Sequence, residues 1–141
     1  MTGVQTCALP IFTAACPPGY EPSPEVAAAA TADAALSGGS VRVTNDPLEG
    51  AEGADVLYTD VWTSMGQEQE RMQRLLDLER FSLDGELLSL GSSEVVAMHC
   101  LPAHVGEEIA EDVLYGPRSL VWDQAENRLH TQKAVMALVI R

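Results

Sequence analysis

The chain has 141 residues, 46% of them apolar and 21% charged, a composition that suits one globular domain with a buried core. Its formal net charge is -13, from 21 acids against 8 bases with Lys133 the only lysine, so DNA and RNA are repelled and no basic stripe offers them a seat. No stretch reaches the roughly 20 apolar residues of a membrane span, and Cys7, Cys16 and Cys100 form neither a disulfide framework nor a C-x-x-C pair, which points to a reducing cytoplasm without a zinc site.

Met1 to Ile11 resembles the translation of a short-read sequencing adapter, and segment 1–11 is set apart as non-native, with the domain proper running 12–141. An export signal is the competing reading of Cys7 to Cys16, but it requires a positive start and the first base is Arg42. Phe12–Cys16 is then a short buried strand, stopped by Pro17-Pro18-Gly19. Pro24 opens an alanine-rich helix through Leu36, with Glu25 in its first turn and Ser37-Gly38-Gly39 at its end. Ser40–Thr44 alternates as a strand, Asp46-Pro47 starts a helical turn to Glu52, and Val56–Thr59 is the next strand.

Gln67–Asp77 places Met72, Leu75, Leu76 and Leu78 at helical spacing, which predicts a helix lying on the sheet. Helices over Asp84–Leu90 and Ile109–Leu114 flank a buried strand, Val95–His99. Ser119–Trp122 reads as a final strand. The last helix is expected over Gln124–Ile140, with Asp123 as its cap and Glu126 as the reciprocal partner. Alternation of this length predicts an α/β fold, doubly wound, with a mainly parallel sheet and helices on both faces.

In an open parallel sheet, ligands gather where strands end at their carboxyl side. Asp60 follows one strand, in Asp60-Val61-Trp62-Thr63-Ser64-Met65-Gly66; Cys100 follows another, in His99-Cys100-Leu101-Pro102. Each also has a structural explanation. An acid at a strand end serves as a helix cap, a lone cysteine as a core thiol, and Arg128 as a solvated charge. His99, His104 and His130 do not fall at zinc-ligand spacing with a carboxylate or thiol, so no metal is expected. A phosphoacceptor receiver would match Asp60 but needs an acidic pair where Pro17-Pro18 stands. A dinucleotide fold needs G-x-G-x-x-G, and a serine hydrolase needs G-x-S-x-G around Ser64; neither occurs. From the residues alone, the reading stops at a small-molecule site on the rim of an α/β sheet.

Taken together, Asp60 to Gly66, His99 to Pro102 and Ala125-Glu126-Asn127-Arg128 resemble, in order and spacing, three signature elements of the ornithine carbamoyltransferases. The likeness runs from Phe12 to Arg141 and includes Cys16 to Pro22. It implies a Rossmann-like ornithine-binding domain and transfer of a carbamoyl group from carbamoyl phosphate to the δ-amine of ornithine, without a cofactor. It also implies a cytoplasmic parent that assembles as a homotrimer. By the same resemblance Asp60 accepts the α-ammonium, and Ser64 and Met65 line the amino-acid site. Cys100 stands beside the δ-amine, Cys100 and Leu101 meet the carbamoyl group, and Arg128 donates to carbamoyl phosphate.

The family's Ser-Thr-Arg-Thr phosphate loop, its His-Pro-x-Gln segment and an ornithine-contacting Asn do not occur here, and Val105 stands where many members carry Arg. A truncated domain, inactive alone, is therefore expected. In the family the last helix packs on the other domain, so Val135, Leu138 and Val139 are expected to be uncovered. The alternatives are a stand-alone amino-acid-binding or interaction module, and a carbamoyltransferase for another amine such as putrescine.

Overall fold

A computed structural model of the chain describes residues 11–63, 66 and 68–140. It divides into two compact units, Met1–Asp46 and Pro47–Arg141. In the first, strand β1 (Ile11–Ala15), helix α1 (Pro24–Ser37) and strand β2 (Ser40–Thr44) make a β-α-β unit. β1 and β2 pair in parallel from Ile11↔Ser40 to Ala15↔Thr44, one residue earlier than the sequence suggested for the first strand.

Helix α1 starts because Ser23 accepts a hydrogen bond from the Val26 N–H and Pro24 presets the first turn. It ends at Gly38, whose φ of 76° lies where a side chain would clash. Its alanines are spread all round and none of its residues is buried. The loops after the two strands are clasped by Asn45, which donates to the Cys16 carbonyl at 2.8 Å and to Glu21 at 3.1 Å. Glu21 also accepts from the Gly19 N–H.

The second unit holds α2 (Pro47–Ala51), β3 (Val56–Thr59), α3 (Arg71–Leu78) between two 3-10 turns, α4 (Gly85–Ser89), β4 (Val96–His99), α5 (Glu111–Leu114) and α6 (Val121–Val139). β3 and β4 are parallel, with Val56 opposite Val96 and Thr59 opposite His99. A parallel bridge joins Ala97 to Ser119. Every strand pair among the described residues is parallel and helices intervene, as the α/β reading required. The core is Leu83, Ala97, Ile109, Val113, Leu114 and Val121, with Leu57 and Leu87 packed against it. Asp84 caps α4 by accepting from the Leu87 N–H at 2.8 Å.

Four sequence expectations need correction. The opening strand is not buried: Phe12 is 61% exposed, and no residue of β1 is fully covered. Ser119–Trp122 is not a strand: Leu120 turns the chain after a single bridge, and Val121, fully buried, already begins α6. Asp123 therefore lies inside the first turn and is not the cap; Leu120 occupies that position without a side-chain bond. On α3, Met72 and Leu76 are each 67% exposed, so only Leu75 and Leu78 face inward. On α6, Val135, Leu138 and Val139 are uncovered, as expected.

Candidate functional site

The register of β3 against β4 decides what meets at the rim. Since Thr59 lies opposite His99, the next residues, Asp60 and Cys100, leave their strands side by side. The Cys100 thiol donates to Asp60 Oδ1 at 2.8 Å, across 40 residues of sequence. Asp60 Oδ1 also accepts the Val61 N–H at 2.7 Å. Oδ2 takes no bond among the described residues and remains able to meet a cation.

Two groups that the sequence reading passed over complete this arrangement. Tyr58 sits in β3, two residues before Asp60, and its side chain acts on the Cys100 thiol. Gln124, on α6, donates from Nε2 to the Tyr58 hydroxyl at 3.0 Å and accepts the His99 N–H at 3.1 Å. Strand alternation points to Tyr58, and the one-turn spacing from Gln124 to Arg128 could have drawn attention to the glutamine.

Burial pushes the Cys100 thiol above its ordinary range, helped by the hydrogen bond and charge of Asp60; the nearby Tyr58 hydroxyl pulls the other way. Burial also raises the Tyr58 phenol, against the donation from Gln124. Cys100 is thus a protonated thiol at neutral pH, suited to donating a hydrogen bond and not to nucleophilic attack.

Behind Cys100, His99 is fully buried and holds the next loop. Its Nδ1 accepts the Leu101 N–H at 2.8 Å, and its Nε2 lies 3.2 Å from Oε1 of the equally buried Glu108. Nδ1 as acceptor leaves the ring proton on Nε2, where it donates to the carboxylate. Leu101 has a φ of 57°, a conformation that L residues resist, and the bond to His99 helps to hold it there.

Arg128 lies on α6, one turn beyond Gln124, and lines a cleft of about 470 Å³ with Met98, Leu120, Gln124 and Asn127. Asp60 and Cys100 are outside that lining, and no hydrogen bond or ion pair among the described residues joins Arg128 to either. Gln124 lines the cleft and also bonds Tyr58 and the His99 N–H, the residues next to the Asp60–Cys100 contact. Ser64 and Met65 fall outside the described residues.

One grouping was invisible in the histidine spacings: His104, Glu107 and Glu108 bring ligand atoms within 4.8 Å of one another. Glu107 is paired with Arg71, and Glu108 Oε1 with His99 and the His104 N–H, while the buried Glu108 Oε2 has no hydrogen-bond partner among the described residues.

Comparison with known proteins gives this geometry a context. Residues 3–139 match the family model described as "Aspartate/ornithine carbamoyltransferase, Asp/Orn binding domain". The ornithine carbamoyltransferase of Ignicoccus hospitalis is 55% identical over 123 residues, which are 87% of this chain and 40% of that protein. The ornithine carbamoyltransferase of Gloeobacter violaceus is 51% identical over 126 residues, 89% of this chain and 40% of its own length. The solved structure of the Pyrococcus furiosus ornithine carbamoyltransferase superposes with a TM-score of 0.85 at 50% identity, covering 91% of this chain and 41% of that one. The chain thus spans about two fifths of the relatives it matches.

Proposed function

The chain belongs to the aspartate/ornithine carbamoyltransferase family, through that family's amino-acid-binding domain, and from that premise we propose that it seats ornithine for carbamoyl transfer to the δ-amine. Carbamoyl phosphate is the donor; citrulline and phosphate are the products. The observation that carries this reading is the 2.8 Å contact between Asp60 and Cys100 at the carboxyl ends of paired parallel strands.

In this reading Asp60 accepts the α-ammonium through Oδ2, a charge-assisted bond that contributes about 1.5–3 kcal/mol. Ser64 and Met65 line the same seat. Cys100 stands beside the δ-amine as a neutral thiol, which neither competes as a nucleophile nor holds the amine as an ammonium. The Cys100–Leu101 backbone meets the carbamoyl group. Arg128 donates to carbamoyl phosphate and stabilises charge developing on the carbonyl oxygen and phosphate. Attack by a neutral amine makes positioning the main source of rate, and no cofactor is required. The family's phosphate-holding loops are not among these 141 residues, so carbamoyl phosphate has to be held largely by a second half. Trimeric assembly and a cytoplasmic location belong to the same proposal; no helix among the described residues is long and apolar enough to cross a membrane.

The test is citrulline formation from ornithine and carbamoyl phosphate. The chain alone should give none, and mixing it with the carbamoyl-phosphate-binding half of a related ornithine carbamoyltransferase should restore turnover. Asp60→Ala should abolish the restored activity and any ornithine heat in calorimetry. Full binding and turnover by Asp60→Ala would overturn the assignment, as would putrescine outperforming ornithine.

A further inference from the structure

Gln124 can be oriented in only one way. The His99 backbone N–H can only donate, so the amide oxygen must face it, at 3.1 Å. That choice turns the amide NH₂ towards the Tyr58 hydroxyl, at 3.0 Å. A Tyr58 oxygen that receives this proton keeps its own O–H to give, and Cys100, which bears on the phenol electrostatically, offers a sulfur to take it. The thiol hydrogen is in turn directed at Asp60 Oδ1, at 2.8 Å. Donation from phenol to thiol would join these two contacts into a single one-way run, from amide to carboxylate, its direction set by a backbone group that cannot reverse.

We propose that Gln124 is a positioning residue: through Tyr58 it keeps Cys100 a donor to Asp60 and so fixes the carboxylate of the amino-acid seat. The inference rests on the reading above for its meaning, while the relay itself can be measured without substrate. It also explains why the same helix carries Gln124 and Arg128. Seating α6 aligns the polar chain at one turn and the guanidinium at the next, so the two halves of the chemistry are set by one docking event.

The experiment uses the chain as it stands. Alkylation of Cys100 by iodoacetamide is followed by mass spectrometry of its own peptide, from neutral to strongly alkaline pH, with Cys16 read separately in the same digest. Gln124→Glu keeps the shape and still accepts from His99, but it cannot donate to Tyr58 and draws the phenol proton to itself. It should slow Cys100 alkylation about two- to tenfold below the midpoint, the loss expected for one hydrogen bond to the thiolate, and move the midpoint to higher pH. Tyr58→Phe should do the same, and the double variant should be no slower than the slower single one.

If the Gln124→Glu effect persists in full on the Tyr58→Phe background, it is simple charge repulsion and the relay is wrong. An unchanged rate in Tyr58→Phe also overturns it. Tyr58 is 55% exposed, so removing its hydroxyl does not threaten the fold. Should Gln124→Glu fail to match the parent by circular dichroism, Gln124→Met removes the donor without adding charge and must slow alkylation in the same direction. Alkylation that behaves as expected while Asp60→Ala still binds ornithine normally would leave the relay standing and defeat the functional reading instead.

Discussion

His99 and Glu108 are both fully buried, and the imidazole meets one of the two carboxylate oxygens. Glu108 Oε1 receives the imidazole Nε2–H and the His104 N–H, tying the end of β4 to the loop at His104. Its Oε2 has only His104 Nδ1 nearby, at 3.7 Å. Removing the carboxylate leaves the buried His99 donor and the part-buried His104 N–H unpaired, and a void. Glu108→Ala should therefore cost on the order of 3 kcal/mol in urea unfolding, whereas Glu108→Gln, which keeps an acceptor at Oε1, should cost about half as much. Equal costs for the two would show that volume and not hydrogen bonding explains the burial. None of this was legible beforehand. His99 read as the end of a buried strand and the start of a signature loop, without its partner, because a histidine's partner depends on a loop whose return path no local pattern encodes.

At the level of elements, close packing of backbone on backbone sets the tightest constraint. At Gly116, just past α5, an added Cβ would lie 2.2 Å from the Asp112 carbonyl oxygen, and a backbone atom cannot step aside as a side-chain tip can. Gly116→Ala should lower stability by about 1–3 kcal/mol, the usual cost of forced overpacking, read from the shift of the urea midpoint; a neutral result would mean the turn has slack that this geometry denies.

The elements that were legible share a cause. β2 and β3 were placed to the residue because Ser40–Thr44 and Val56–Thr59 alternate or run apolar between clear breakers. Their ends then fixed Asp60 and Cys100 at one rim. Ser119–Trp122 has the same local signature and failed, since the turn at Leu120 follows from packing Val121 into the core while Trp122 stacks on Tyr115 outside, with ring centroids 5.8 Å apart. Local pattern cannot tell a buried strand end from a buried helix start. Gln124 and Tyr58 escaped for a related reason: 66 residues separate them, and only the docking of α6 brings them together.

For the whole molecule, two opposing surface properties act at once. The end of α6 presents Val135 at 51%, Leu138 at 80% and Val139 at 70% exposure, while the chain carries a net charge of -13. The first favours association of copies through burial of apolar area, worth about 25 cal/mol per Å² removed from water. The second opposes it through repulsion that reaches roughly 8–10 Å at 0.1–0.15 M salt and only about 3 Å at 1 M. Salt should then shift the balance, because it screens the charges and leaves the apolar term in place. Sedimentation velocity should find larger species at 1 M sodium chloride than at 0.1 M. A Val135→Glu and Leu138→Glu double variant should stay small at both, since it removes the sticky stripe and adds charge where copies would touch. If a carbamoyl-phosphate-binding half covers this helix, as the family resemblance implies, adding it should compete with self-association. Association that is indifferent to salt and undiminished in the double variant would place the contact elsewhere on the molecule and remove α6 from the account.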